Sequence, residues 1–355
     1  MKFDQKEIDD AVVTLATPEN PKGYGIVFAS PISARENMKR AFHHKACWIP
    51  YRADMNWFCP EIIPDSIARA YVTEYAPYKG TPGGKDMFGI EWEYVPAARG
   101  SIVRPGNPTL KDITQWKEVI KFPDIDSWDW ENSGKNNAQY LKDSNQFQLL
   151  CMFTGWFERL ISFMDFGPAA YAMMNRKQQP YVKELFEKLT DMYIDIIDHC
   201  AKYYPDLDGF TFHDDWGAQH SPFFNEKTVR EMIVPYMQRV TKRIHELGYV
   251  CELHSCGKID QLIGCIVDAG WDSWDGMDIN DAHWDYDNYG DKLLMRMVAR
   301  FPADSTDEEL TKAAEDFLDD FGDPNKPVVL SHFTPRVPKF NMELYRLSRN
   351  LYDTN

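Results

Sequence analysis

Hydrophobic and polar positions switch repeatedly between a period of two and a period near 3.6, which predicts strands followed by helices. Phe147–Phe153 is almost wholly apolar, the pattern of a strand covered on both faces. Tyr181–Tyr203 carries Leu185, Leu189, Met192, Ile196 and His199 at helical spacing, so a long amphipathic helix is expected there. Gly209–His213, Tyr249–His254, Trp271–Met277, Leu293–Val298 and Pro327–Phe333 read as further strands, and so does Phe88–Val95 with its aromatic and β-branched residues. Glu226–Leu247 predicts a helix kinked or split at Pro235 and stopped by Gly248. Ile259–Ala269 predicts a helix ended by Gly270. Thr306–Phe321 predicts another, with Ser305 and Glu308 spaced as a capping box.

Strands alternating with helices imply βαβ units and a parallel sheet. The expected fold is α/β, a (β/α)8 TIM barrel over residues 51–355, preceded by an N-terminal extension over residues 1–50 with one helix at Ile32–His44. Pro50, Pro60 and Pro64 mark a loop-rich segment, and Gly80–Asp86 a turn-forming run. The apolar runs supply seven strands where a barrel needs eight. The eighth is expected before Phe147.

Composition narrows the function. The 355 residues carry a formal net charge of -16, which disfavours a nucleic-acid partner. No apolar stretch approaches the ~20 residues of a membrane span, and the first residues lack the apolar centre of a signal peptide. A cytoplasmic protein is expected. Seven cysteines form an odd set in a long chain, which fits free thiols or metal ligands better than a disulfide framework. Aromatic residues make up 14 % of the chain. Most will be core, and some could line a pocket for a planar ligand.

In a barrel of this kind the active site lies at the C-terminal ends of the strands, and three clusters fall there. The first is Leu253-His254-Ser255-Cys256-Gly257. A His and a Cys two apart on a strand end can face one point and hold Zn²⁺, or can be two buried neighbours. The second is His213-Asp214-Asp215-Trp216-Gly217-Ala218-Gln219-His220. His213, Asp214 and Asp215 are candidate catalytic groups, as metal ligands or as general acid and base. Helix capping is the competing role for either aspartate. The third is Ser331-His332-Phe333 after the last strand. Trp57, Trp216, His220 and His332 are candidate substrate contacts. No P-loop, dinucleotide fingerprint or G-x-S-x-G elbow is present.

Several stretches together resemble the uroporphyrinogen decarboxylase-like superfamily. Gly84-Lys85-Asp86-Met87-Phe88-Gly89-Ile90-Glu91-Trp92 is similar to its G-K-D-x-F-G-x-x-W segment. Asp112 to Trp116 with Phe122-Pro123-Asp124-Ile125-Asp126, and Gly155-Trp156-Phe157-Glu158-Arg159, resemble two others. Asp214-Asp215-Trp216-Gly217 and His254-Ser255-Cys256-Gly257 complete the set. The decarboxylases of this superfamily carry an Arg-rich segment, which Pro50-Tyr51-Arg52-Ala53-Asp54 lacks. The H-x-C-G stretch is similar to that of its corrinoid-dependent methyltransferases. The resemblance implies a TIM barrel that moves a methyl group to the cobalamin of a separate corrinoid carrier protein, with His254 and Cys256 as zinc ligands. Thiol methyltransferases of this group add a second Cys after the last strand, but no Cys follows Cys265. His332 could replace it, or the site could be metal-free. The Asp-Asp-Trp-Gly loop and the aromatic content look more like the enzymes that demethylate aromatic methyl ethers. The expected substrate is therefore a small methoxylated aromatic compound.

Overall fold

The structure, a computed structural model, describes residues 2–15, 25–97, 100–302 and 304–352. Its centre is a sheet of seven parallel strands in a single winding order: β1 (Met55–Phe58), β2 (Phe147–Met152), β3 (Gly209–His213), β4 (Val250–His254), β5 (Ser273–Asp275), β6 (Leu294–Met297) and β7 (Val328–Leu330). The sheet curls until its two edges touch. Tyr51, just before β1, forms an isolated parallel bridge with Leu330 on β7, and the Leu330 N–H donates to the Pro50 carbonyl at 2.8 Å. The expected eight-stranded closed barrel is thus corrected to a TIM-like sheet of seven strands whose ends meet at one bridge.

Two strand assignments account for the difference. Phe88–Val95 contributes Glu91–Val95, but to a separate antiparallel sheet with Gly83–Lys85 and Gly100–Ile102. The missed strand is Met55–Phe58, upstream of Phe147 but inside the segment read as loop. Flanking prolines hid it. The capping box also moves by one residue: Thr306 and Glu309 make it, not Ser305 and Glu308.

Helices cover the outside. α1 (Trp156–Met164) follows β2, and α2 (Gln179–Tyr203) leads to β3. α3 (Glu226–Met232) and α4 (Val234–Glu246) are the two halves of the stretch broken near Pro235. Proline lacks an N–H and clashes with the preceding turn, so it opens the second helix instead of continuing the first. Ahead of β1, the helix Ala34–Phe42 buries Met38, Ala41 and Phe42. The Phe42 ring stacks on Phe147 with centroids 5.1 Å apart.

The strands explain what faces inward. Successive side chains on a strand point to opposite faces. Phe212 on β3 packs outward against Trp156 and Tyr193 of the helices, so Thr211 and His213 point inward. Register then aligns the inward residues. His213 pairs with His254, and His254 with Asp275. One step lower, Thr211 pairs with Glu252, and Glu252 with Ser273. The interior therefore carries two polar rows across three neighbouring strands.

Candidate functional site

The lower row is a buried ion network. Arg296 on β6 donates to Glu252 at 2.7 Å and to Asp275 at 2.5 Å. Thr211 and Ser273 hydroxyls donate to Glu252 at 3.1 and 3.3 Å. Burial alone would raise the Asp275 carboxyl, but the Arg296 guanidinium and the His254 imidazole hold it well below the usual carboxylate range. Such charges are tolerable in a core only when paired and hydrogen-bonded.

The upper row carries the reactive groups. His254 Nδ1–H donates to Asp275 Oδ2 at 2.9 Å, which leaves Nε2 facing the Cys256 Sγ at 3.4 Å. Burial would lower this imidazole, yet Asp275 and Cys256 outweigh it and hold it well above the usual histidine range. The His213 ring lies beside it, with centroids 4.5 Å apart. Burial and the charge of His254 push His213 well below its usual value. Its Nδ1 is 2.6 Å from Glu158 Oε2, and burial raises Glu158 in turn. Both shifts oppose charge on the two groups.

A close backbone approach brings in the remaining groups. After β4, Gly257 adopts φ +96° and packs on Gly217, so a Cβ there would lie 2.2 Å from the Gly217 carbonyl carbon. This contact brings the loops after β3 and β4 together. Asp215 Oδ1 consequently accepts the Cys256 N–H at 2.7 Å. The outcome is a cluster of His213, Asp215, His254 and Cys256, whose potential ligand atoms all lie within 4.8 Å of one another. For tetrahedral Zn²⁺, bond lengths of ~2.0–2.3 Å separate neighbouring ligands by about 3.4–3.6 Å. The His254–Cys256 spacing of 3.4 Å suits this. Two nitrogens, one oxygen and one sulfur are a fitting donor set for zinc.

The other sequence candidates are not among these four residues, although Trp57 packs beside them. Asp214 is fully buried. It accepts the Glu158 N–H at 2.9 Å and the Trp216 indole N–H at 3.0 Å. It thus caps the first turn of α1, and burial beside the Glu158 carboxyl pushes it up to about 8. Trp216 is fully buried behind it. His220 is exposed on the loop. His332 is also exposed and packs on Phe333 with centroids 4.1 Å apart. Partial desolvation lowers its imidazole, Arg52 and Arg296 add to this, and Asp275 opposes it. Trp57 on β1 stands edge-on to His254 at 5.9 Å and to Phe153 at 6.1 Å, with the Arg52 guanidinium 5.3 Å above its ring.

Sequence reasoning missed Glu158, Glu252, Asp275 and Arg296. The last three had one signal, a charged residue at an inward position of an otherwise apolar strand. The motif residues Asp86, Trp92 and Arg159 turn out to act together. Arg159 is buried between Asp65 and Asp86, donating to Asp86 at 2.7 Å, and Asp86 accepts the Trp92 indole N–H at 2.9 Å. They pin the small antiparallel sheet to α1.

No protein-family model matches the sequence, and no curated protein matches it. Among solved structures, the chain is similar to a methyltransferase from Methanosarcina mazei: TM-score 0.60 and 12 % identity, over 91 % of this chain and 99 % of that one. It is far less similar to the 3-keto-D-glucoside 4-epimerase YcjR from E. coli: TM-score 0.33 and 11 % identity, over 70 % of this chain and all of that one. An AP endonuclease of family 2 from Brucella melitensis gives TM-score 0.32 and 11 % identity, over 60 % and 81 % of the two chains. At such identities only the first likeness bears on this chain, and it establishes a shared fold.

Proposed function

We propose that this chain is a methyltransferase that takes the methyl group of a methoxylated aromatic compound and passes it to the cob(I)alamin of a separate corrinoid protein. The observation that carries this reading is the convergence of His213, Asp215, His254 and Cys256 at the C-terminal ends of β3 and β4. The shared fold with the Methanosarcina mazei methyltransferase and the H-x-C-G stretch support it. His254 and Cys256, with His213 and Asp215, would hold Zn²⁺. When bound, the ion supplies a Lewis acid that can polarise the ether oxygen of an aryl methyl ether.

The residues of the chain do the rest. Asp275 fixes the His254 tautomer through Nδ1, so that Nε2 is directed at Cys256. Glu158 Oε2, 2.6 Å from His213 Nδ1, orients that ring beside the cluster. Trp57, Phe153 and Tyr71 form an aromatic wall, with ring centroids 5.3–6.1 Å apart, on which a substrate ring can stack.

The Cys256 thiol and its histidine partners also suit a zinc enzyme acting on another small methyl donor or a thiol acceptor. A uroporphyrinogen-type decarboxylase fits less well, because Arg296 and Arg69 are already engaged by Glu252, Asp275 and Glu158. The test is direct. Purified protein, a cob(I)alamin carrier and a 2-methoxyphenol should yield a catechol and methylcobalamin. No methyl transfer across a broad panel of aryl ethers, amines and alcohols would overturn the proposal.

A further inference from the structure

We infer that His245, Cys251 and Asp272 form a second metal site, for Zn²⁺ or a similar borderline divalent cation, at the opposite end of the sheet. Three elements meet there. His245 lies in the last turn of α4, Cys251 is the second residue of β4, and Asp272 directly precedes β5. Cys251 and His254 are three positions apart on one strand, about 10 Å at ~3.3 Å per residue. They also point to opposite faces, Cys251 toward the helices and His254 toward the interior. The two clusters share no residue.

The geometry is close to that of an ion site. Cys251 Sγ is 3.5 Å from His245 Nε2 and 3.4 Å from Asp272 Oδ2. Tetrahedral zinc with one sulfur, one nitrogen and one oxygen ligand asks for about 3.4–3.6 Å along each edge. The His245–Asp272 edge is 2.9 Å, a hydrogen bond, and needs to widen by only about half an ångström for the same geometry. The Cys251 N–H donates to Asp272 Oδ2 at 2.8 Å and holds the carboxylate against the sulfur.

Access is graded. Cys251 is fully buried, whereas the side chains of His245 and Asp272 are 42 % and 28 % exposed. The floor is dry and the opening faces solvent, so water can complete the coordination. Ligation replaces the thiol proton and any proton on His245, and both pass to solvent. A bound ion would join the end of α4 to the starts of β4 and β5, so its role is structural. The inference does not rest on the proposed methyl transfer.

The full-length chain, stripped by a chelator and titrated with Co²⁺ and then Zn²⁺, tests it. Cys256→Ser removes the thiol of the upper cluster, so any remaining thiolate-to-cobalt absorption must come from elsewhere. We expect Cys256→Ser to bind one equivalent with that absorption, and Cys256→Ser with Cys251→Ser to lose it. His245→Ala changes an exposed side chain, so it reports on binding even if Cys251→Ser fails to fold. In the Cys256→Ser background it should weaken binding at least tenfold while the circular dichroism spectrum stays unchanged. A Cys256→Ser protein with no thiolate–cobalt absorption, or equal affinity with and without His245→Ala, would overturn the site. Neither result depends on whether methyl transfer occurs.

Discussion

The imidazoles of His213 and His254 face each other at 4.5 Å between centroids, each at the last position of adjacent parallel strands. Two imidazolium ions at that distance repel strongly in a half-buried site. The carboxylate of Asp275 settles which ring carries charge, because it is bonded to His254. A metal ion drawn to this pair must therefore displace a proton from His254. The Asp275 contact orients the ring for such an ion through Nδ1.

Loss of ligands should appear first in metal content. Cys256→Ser and His254→Ala are each expected to cost one equivalent of zinc, measured by elemental analysis of the purified chain. Methyl transfer should fall at least ~100-fold in each, the lower range for losing a group that acts in the transition state. Full activity without the lost equivalent would remove zinc from the mechanism.

The adjacent aspartates should separate cleanly. Asp215→Ala should lower the rate at least ~100-fold with little change in unfolding free energy. Asp214→Ala should cost roughly 1–3 kcal/mol, since it removes a helix cap and orphans the Trp216 indole N–H. Urea unfolding and steady-state kinetics on both variants would show it. His220→Ala, on the exposed loop, should leave both measurements near wild type.

Asp275 makes a pH prediction with a definite sign. Its carboxyl is depressed in the folded protein, so its stabilisation is complete above the unfolded value of ~3.9. It disappears as pH falls through the folded value. Asp275→Asn should therefore destabilise the chain by about 3–5 kcal/mol near neutrality, the cost of breaking a buried pair. The gap from wild type should narrow in strong acid. Equal gaps at neutral and acid pH would place the stabilisation elsewhere.

Gly257→Ala tests the approach of the two loops. A methyl group there meets the Gly217 backbone and strains a positive φ, which should cost about 1–3 kcal/mol. Separation of the loops should also lower zinc affinity, read by competition with a chelator. Unchanged affinity would show that the Asp215–Cys256 contact forms without this glycine.

Much of the architecture was visible in the residue pattern, because buried strands such as Phe147–Met152 and long helices such as Gln179–Tyr203 have strong periodicity. Met55–Phe58 was not, since a four-residue strand among prolines has no period to detect. The convergence of His213, Asp215, His254 and Cys256 was legible from their strand-end positions. The division between Asp214 and Asp215 was not. Neighbouring residues leave a strand in opposite directions, and only coordinates tell which one faces the helix. Asp275 was hidden because its partner is fixed by register between strands, and Glu158 because its partner depends on how α1 packs over the end of β3; local sequence encodes neither.

The edges of the curled sheet meet at one sparse joint. At the Tyr51–Leu330 bridge, Pro50 has no N–H to give back to β7, and a single isolated bridge stands where each ladder of the sheet has at least two register pairs. Parting the wall at this seam sacrifices the fewest backbone bonds, and Arg52 and Trp57 stand right beside it. A movement that opened the curled sheet would therefore start at this seam, and not between two laddered strands.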